Sequence, residues 1–390
     1  MSLKRNVYGA YLYSFAAWFG ITNLWVIFLG QRGISLVQIG LCESIFHVAS
    51  FCFEMPSGML ADRFSYKTVL YFSRMMAIIS AAMMLVGNTF LWFAASFVIS
   101  AFSYNLQSGT LEALVYESLA PDAQVATYPR ITSMMGIVTE VASTSGVIIA
   151  GLLVHGHLAL TYVIAIVWAV VALGTIFFMK EPGVHGPQEE KQTMRAIIVA
   201  AVAALRQQPR LRNLMLVDAS ISAVGTAFYY YFQSVMTDRN FSGTLISTLM
   251  LVSSLVAIVA MRLIPSLQRR FQQLPLLLGM AGTMTVALMV SGIHQIGVML
   301  VAYLIVEGIS AILYPLFNTY YNELIPSAQR ATLLSVASMV FSIEMVVLFP
   351  VCGWLISLIG FNWTFLMLGG LLTVGLMSWG VYQKRRVNLS

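Results

Sequence analysis

Residues 116–127 read YESLAPDAQVAT, and residues 321–332 read YNELIPSAQRAT. Seven of the twelve positions agree: Tyr, Leu, Pro, Ala, Gln, Ala and Thr. Each segment joins the fourth and fifth apolar runs of its half of the chain. Agreement in place as well as in sequence is the mark of an internal duplication. Working outward from the first copy, apolar runs lie near 6–30, 37–61, 67–87, 91–119, 129–154 and 158–179. Around the second copy they lie near 211–236, 243–262, 274–293, 296–321, 331–358 and 362–382. The runs are long and continuous, without the short alternating segments of a membrane barrel, so helices are implied. Six spans separate the two copies, which gives both halves the same orientation. The expected fold is therefore an all-α membrane protein of twelve transmembrane helices in two parallel six-helix repeats. Repeats of this kind suit a central site between two bundles.

Composition agrees with that reading. Of 390 residues, 59% are hydrophobic and 9% are charged, against about 25% charged in an ordinary globular domain. So few charges cannot hold a surface in water, which excludes a soluble enzyme, a nucleic-acid binder and a disordered chain. Twelve spans of about 20 residues use about 240 residues, which matches the apolar share. With the N-terminus in the cytoplasm, 19 of the 21 Lys and Arg residues fall at or near the inner side, Arg74 among them, and Arg32 and Arg239 fall outside. This is the positive-inside pattern, and it supports an even number of spans with both termini cytoplasmic. The net charge of +6 is thus a topology signal, and no nucleic-acid partner is expected. Cys42, Cys52 and Cys352 sit in apolar runs with no metal or redox spacing. The opening MSLKRN runs into an apolar span without a small-residue cleavage site, so no cleaved signal peptide is expected. The domains expected are an N-terminal bundle (1–179), a cytoplasmic linker (180–210) and a C-terminal bundle (211–390). Residues 193–206 of the linker read as a short helix on the inner membrane surface or as an extension of the seventh span.

After the second span comes GMLADRFSYK, residues 58–67. This resembles the signature loop of the major facilitator superfamily, commonly written GxLaDRxGRK. Gly58, Leu60, Ala61, Asp62, Arg63 and Lys67 match, and Ser65 and Tyr66 depart from it. The resemblance implies a conformational latch formed by Gly58, Asp62, Arg63 and Lys67. Glycine lets helices approach, and an acid at a helix end can face the positive end of a neighbour; in the family that neighbour is the eleventh span, which here begins near Arg330. The contexts FEMPSG (53–58) and SGTLEALVYESL (108–119) resemble a bacterial drug-efflux-like branch of the superfamily. Proton-coupled exporters usually carry an Arg four positions before the equivalent of Gly109, where this chain has Asn105, and a Gly-Pro-rich signature in the fifth span, which here has glycines but no proline after Pro129 at its start.

A charge at mid-bilayer is expensive, so intramembrane acids are functional candidates. Glu43 and His47 lie one turn apart in the second span, Glu140 in the fifth, Glu307 in the tenth and Glu344 in the eleventh. Glu112 and Asp218 sit nearer the cytoplasmic ends. No Lys or Arg is expected at mid-membrane, which leaves these acids without a fixed cation. Glu43, His47, Glu140, Glu307 and Glu344 are therefore candidates for binding a coupling proton or a cationic substrate, the alternative being a protonated carboxyl in a structural hydrogen bond. In the family the first, fourth, seventh and tenth spans line the cavity. The substrate-pocket candidates on them are Tyr13, Trp18, Asn23, Tyr104, Asn105, Glu112, Tyr230, Gln233, Tyr303, Tyr314 and Asn318. Aromatic faces there attract organic cations, although the run Tyr229–Tyr231 also fits interfacial anchoring.

There is no phosphate-binding loop, no His/Cys cluster and no Ser/His/Asp set, so enzyme activity and a bound cofactor are not expected. The expectation is a monomer of the bacterial inner membrane, in contact with lipid, that exports a small amphipathic or cationic compound in exchange for protons. Proton-coupled nutrient uptake, a lipid flippase and a membrane sensor stand as alternatives.

Overall fold

A computed structural model describes residues 2–119, 125–182, 206, 208–325 and 330–387. The first apolar run is bent. It forms α1 (Ser2–Ala17), a 3-10 turn (Gly20–Thr22) and α2 (Trp25–Gln31), with a bend of 40°. Then follow α3 (Leu36–Arg63), α4 (Tyr66–Val86), α5 (Phe90–Gln107), α6 (Thr110–Leu119), α7 (Tyr128–Leu152) and α8 (Ala159–Phe178). The later part of the chain forms α9 (Pro209–Asp238), α10 (Gly243–Arg270), α11 (Gln273–Val290), α12 (Ile296–Leu324) and α13 (Arg330–Val387). The expected surface helix at 193–206 lies outside the described residues apart from Arg206, as do the centres of the two repeated segments.

Eight helices among the described residues are long and apolar enough to cross a membrane, or nine with the bent pair counted as one span. One of these stretches, Leu333–Val381, has 49 residues, about 74 Å of helix against a hydrocarbon core of about 30 Å. Its break falls at Gly360, where φ is 83°. That left-handed backbone is open to glycine and strained for other residues. Here α13 divides into two arms.

Contacts divide the chain into two compact units. The first takes Met1–Ile34, Ile45–Lys191 and Asn240–Met250; the second takes Ser35–Ser44, Gln192–Arg239 and Leu251–Ser390. The start of α3 thus belongs to the second unit and the start of α10 to the first. In the first unit α4 packs on α5 and α8, and α1 packs on α7 and α8. Its core includes Tyr13, Leu70, Leu111, Leu114, Ile131 and Ala172. The 3-10 turn meets α7 backbone to backbone: a methyl group on Gly146 would stand 2.7 Å from the carbonyl carbon of Gly20. Such an approach requires a residue without a side chain.

In the second unit α9 lies against α12 and α13, and α11 lies against both as well. Its core is aromatic. Phe232 stacks on Tyr303 with ring centroids 4.7 Å apart, and Phe361 meets Phe365 at 4.6 Å. The start of α3 joins this core, and one of its contacts answers to a proline. Pro350 inside α13 has no N–H, so the carbonyl one turn earlier, Val346, lacks its helical donor. The hydroxyl of Ser44 donates to that carbonyl at 2.7 Å. One residue before the proline, Phe349 O accepts from the buried Tyr231 hydroxyl at 2.8 Å, which also stands 3.2 Å from Leu36 O. Backbone groups freed by a proline inside a bilayer need partners of this kind.

Candidate functional site

The second unit holds a pair of carboxyl groups supported by hydroxyls. On α9, Asp218 and Ser222 are one turn apart and share a face. Ser222 donates to Asp218 Oδ1 at 3.0 Å. From α12, the Tyr321 hydroxyl donates to Asp218 Oδ2 at 2.7 Å. Ser220, turned about 200° around α9 from Asp218, donates to Glu344 Oε1 on α13 at 3.1 Å. The two carboxyl groups are near enough for their charges to interact. Three helices thus bring two acids together, each held by neutral donors. A carboxyl in this setting can exchange a proton or accept an organic cation.

The first unit holds the opposite charge. Arg74, counted in the sequence with the inner-face cations, is the ninth residue of α4 and about 12 Å along it. It is 6% exposed. The guanidinium lies over the Tyr13 ring, 5.4 Å from its centroid. One of its terminal nitrogens donates to Ser73 Oγ at 3.0 Å and to the amide oxygen of Gln107, while its Nε is buried without a partner among the described residues. The Tyr13 hydroxyl donates to the same Gln107 oxygen at 3.2 Å. A cation–π contact and neutral acceptors thus stand in for a counter-ion.

The other acids read from the sequence are dispersed. Glu307 is half-buried on α12, one turn after Tyr303 and within reach of its charge. Glu43 is half-buried in the second unit and interacts electrostatically with Tyr231. His47 belongs to the first unit, so the unit boundary runs between the two members of that expected pair; the His47 ring meets the edge of Phe46 at 5.7 Å. Glu140 is exposed on α7 rather than buried.

The pocket candidates divide in the same way. Tyr13, Gln233 and Tyr303 are fully buried in this conformation. Asn105 is also committed: its amide oxygen accepts from Ser50 Oγ at 2.8 Å and its NH2 donates to the Ser50 carbonyl, tying α5 to α3. Asn23 is half-buried and 3.5 Å from Ser143 Oγ. Trp18 and Tyr104 are open and meet edge to face at 6.1 Å, with Phe46 another 6.1 Å from Tyr104. Glu112 and Tyr314 are exposed, and Tyr230 and Asn318 are half-buried.

Of the expected latch, Gly58 and Asp62 lie outside the residues described at side-chain level. Arg63 is exposed. Lys67 reaches across to the end of α8, donating to the Met179 carbonyl at 2.7 Å. The loop read as the start of the linker supplies a residue that sequence reasoning missed. Glu181 accepts from the backbone N–H groups of Tyr66 at 2.8 Å and Lys67 at 3.0 Å, which places an anion at the positive end of α4. Asn6 completes this brace, donating to Ser118 Oγ at 2.7 Å and to Lys180 O at 2.8 Å.

Known proteins bear on these two units. A curated relative, the uncharacterized MFS-type transporter YxaM of Bacillus subtilis (strain 168), is 21% identical over 392 residues, covering 96% of each chain. Among solved structures, the nucleoside transporter NupG superposes with a TM-score of 0.72 at 16% identity, over 98% of this chain and 99% of that one. A bacterial homologue of the iron transporter ferroportin, in an inward-facing state, gives 0.71 at 14% identity over 97% and 98%. A D-xylose-proton symporter gives 0.68 at 13% identity over 96% of each. At these identities the structures speak for the fold alone. The model of the Major Facilitator Superfamily matches residues 7–343. Its family and fold being those of membrane transporters rather than enzymes, this chain belongs to the Major Facilitator Superfamily.

Proposed function

We propose that the chain is a secondary active transporter that exports a small amphipathic or cationic compound in exchange for protons. Support comes from Asp218 and Glu344, two neighbouring carboxyl groups held by hydroxyl donors. Acids kept without basic partners inside a membrane protein serve ion pathways and proton relays. The proton is the coupling ion in this reading, with no cofactor. Glu307, Glu43 and His47 are further coupling candidates, and Trp18, Tyr104 and Tyr230 are aromatic lining for an organic cation. Drug-efflux-like contexts around Gly58 and Gly109 favour export.

The working architecture is twelve spans in two parallel repeats. It counts the apolar helices above, both arms of α13, and α5 and α9 as spans. The halves would be residues 1–179 and 211–390, joined by a cytoplasmic linker. Alternating access comes from one half rocking against the other, with Asp62 in the latch. A monomer in the bacterial inner membrane, both termini cytoplasmic, completes the reading. The test is substrate flux in proteoliposomes with and without an imposed pH gradient. A gradient acidic on the outer side is expected to drive export, and a protonophore to stop it. Protonophore-insensitive flux overturns the coupling, and substrate moving with the proton replaces export by uptake.

A further inference from the structure

A cleft of about 480 Å³ lies between α9 and the two arms of α13. Sites that enclose drug-sized ligands span roughly 300–1,000 Å³. Its walls are aliphatic, among them Leu216, Val347, Val351 and Leu371, and no basic residue lines it. Val347 and Leu371 are 60% and 62% exposed, so the mouth is apolar. The polar groups in the lining are Glu344 and Ser220. Ser220 donates to one oxygen of Glu344, which leaves Oε2 for a guest. Asp218 lies within electrostatic reach, while its own oxygens are taken by Ser222 and Tyr321.

We propose that this cleft binds a lipophilic organic monocation, its charge against Glu344 and its apolar body against the aliphatic walls. The inference rests on the export reading and names the site and the class of its substrate. Two features select this guest over an acyl chain. A hydrocarbon tail gains nothing from a carboxyl group and would leave it unpaired in an apolar cleft, at a penalty. A hydrophilic cation loses its hydration at an aliphatic mouth and recovers it from a single carboxyl oxygen only in part.

The experiment is equilibrium binding of radiolabelled tetraphenylphosphonium to the purified full chain in lipid nanodiscs, with no gradient present. Saturable binding is expected in the wild type. Glu344→Gln should weaken it at least tenfold, and Val351→Trp, which fills the cleft without touching the carboxyl group, should weaken it as much. Glu344→Asp should recover part of the loss. An uncharged tetraphenyl analogue should compete poorly. Thermal unfolding of each variant separates lost binding from lost fold. Unchanged affinity in either Glu344→Gln or Val351→Trp overturns the site, as does equal competition by the uncharged analogue, which would mark a lipid-tail cleft. The outcome is independent of transport. Binding that depends on Glu344 beside protonophore-insensitive flux keeps the site and removes proton antiport. Proton-driven flux beside unchanged binding in Glu344→Gln keeps antiport and removes the site.

Discussion

Arg74 shows how little a reading along the chain says of a side chain's partners. Its number puts it beside Arg63 and Lys67, and a count of basic residues assigns it to the inner face. That count says nothing of its surroundings: the side chain points into α1 and α5, over Tyr13 and onto Gln107. The guanidinium depends on neutral acceptors, so the acceptors are more sensitive than the charge itself. Gln107→Leu would strand a buried cation with fewer partners, whereas Arg74→Met removes the cation and keeps most of the volume. Buried charges replaced by apolar side chains are often tolerated, while a charge left without its partner destabilises by about 3–5 kcal/mol. We expect Gln107→Leu to lower thermal stability in nanodiscs by more than Arg74→Met does. The double variant should be no less stable than Gln107→Leu alone. Equal losses in the two single variants would show that the amide does not support the charge. Asp218 carries the same lesson. It was visible in the sequence as an acid near a helix end, but its partner Tyr321 is more than a hundred residues away, and periodicity cannot pair residues on different helices.

At the scale of elements, the hydropathy runs mark the helices well, since a bilayer demands long apolar segments with satisfied backbones. The breaks within them are less legible. The first run bends through a 3-10 turn, the fourth stops at Gly109 with φ 76°, and the last two join through Gly360; a glycine in an apolar run signals packing as readily as a break. The partner of Pro350 is hidden in the same way. Proline announces a missing N–H but not which residue replaces it, and here the replacement is Ser44 of α3. Removing that hydroxyl leaves the Val346 carbonyl without its donor, and an unsatisfied buried group costs about 1–3 kcal/mol. Ser44→Ala should therefore be destabilising by about that amount. In a Pro350→Ala background the helix supplies its own N–H to Val346, and the same Ser44→Ala change should cost much less. The double-mutant cycle, read by thermal unfolding, gives the coupling. Additive effects would disconnect the hydroxyl from the proline.

For the whole molecule, the signature loop at 58–67, with the apolar runs beside it, was enough to indicate the superfamily, but these features rank the acids poorly. Glu140 and Glu344 stand at matching places: the offset of 205 between the repeats carries Glu140 to the residue after Glu344. Their surroundings differ. Glu344 is held by Ser220 and flanked by Asp218; Glu140 is exposed. An acid whose surroundings change during the cycle can link proton affinity to conformation, and an acid packed against partners on other helices has more contacts to change than one exposed on its own helix. We therefore expect the two acids to respond unequally. Glu344→Gln and Asp218→Asn should each lower flux driven by a pH gradient at least tenfold in oriented vesicles. Glu140→Gln should keep more than half of it. Exchange down a substrate gradient should persist in Glu344→Gln once substrate is saturating, because the conformational cycle itself needs no carboxylate there. A loss of driven flux in Glu140→Gln as large as in Glu344→Gln would mean that position in the repeat, rather than packing around the carboxyl group, decides which acid carries the coupling.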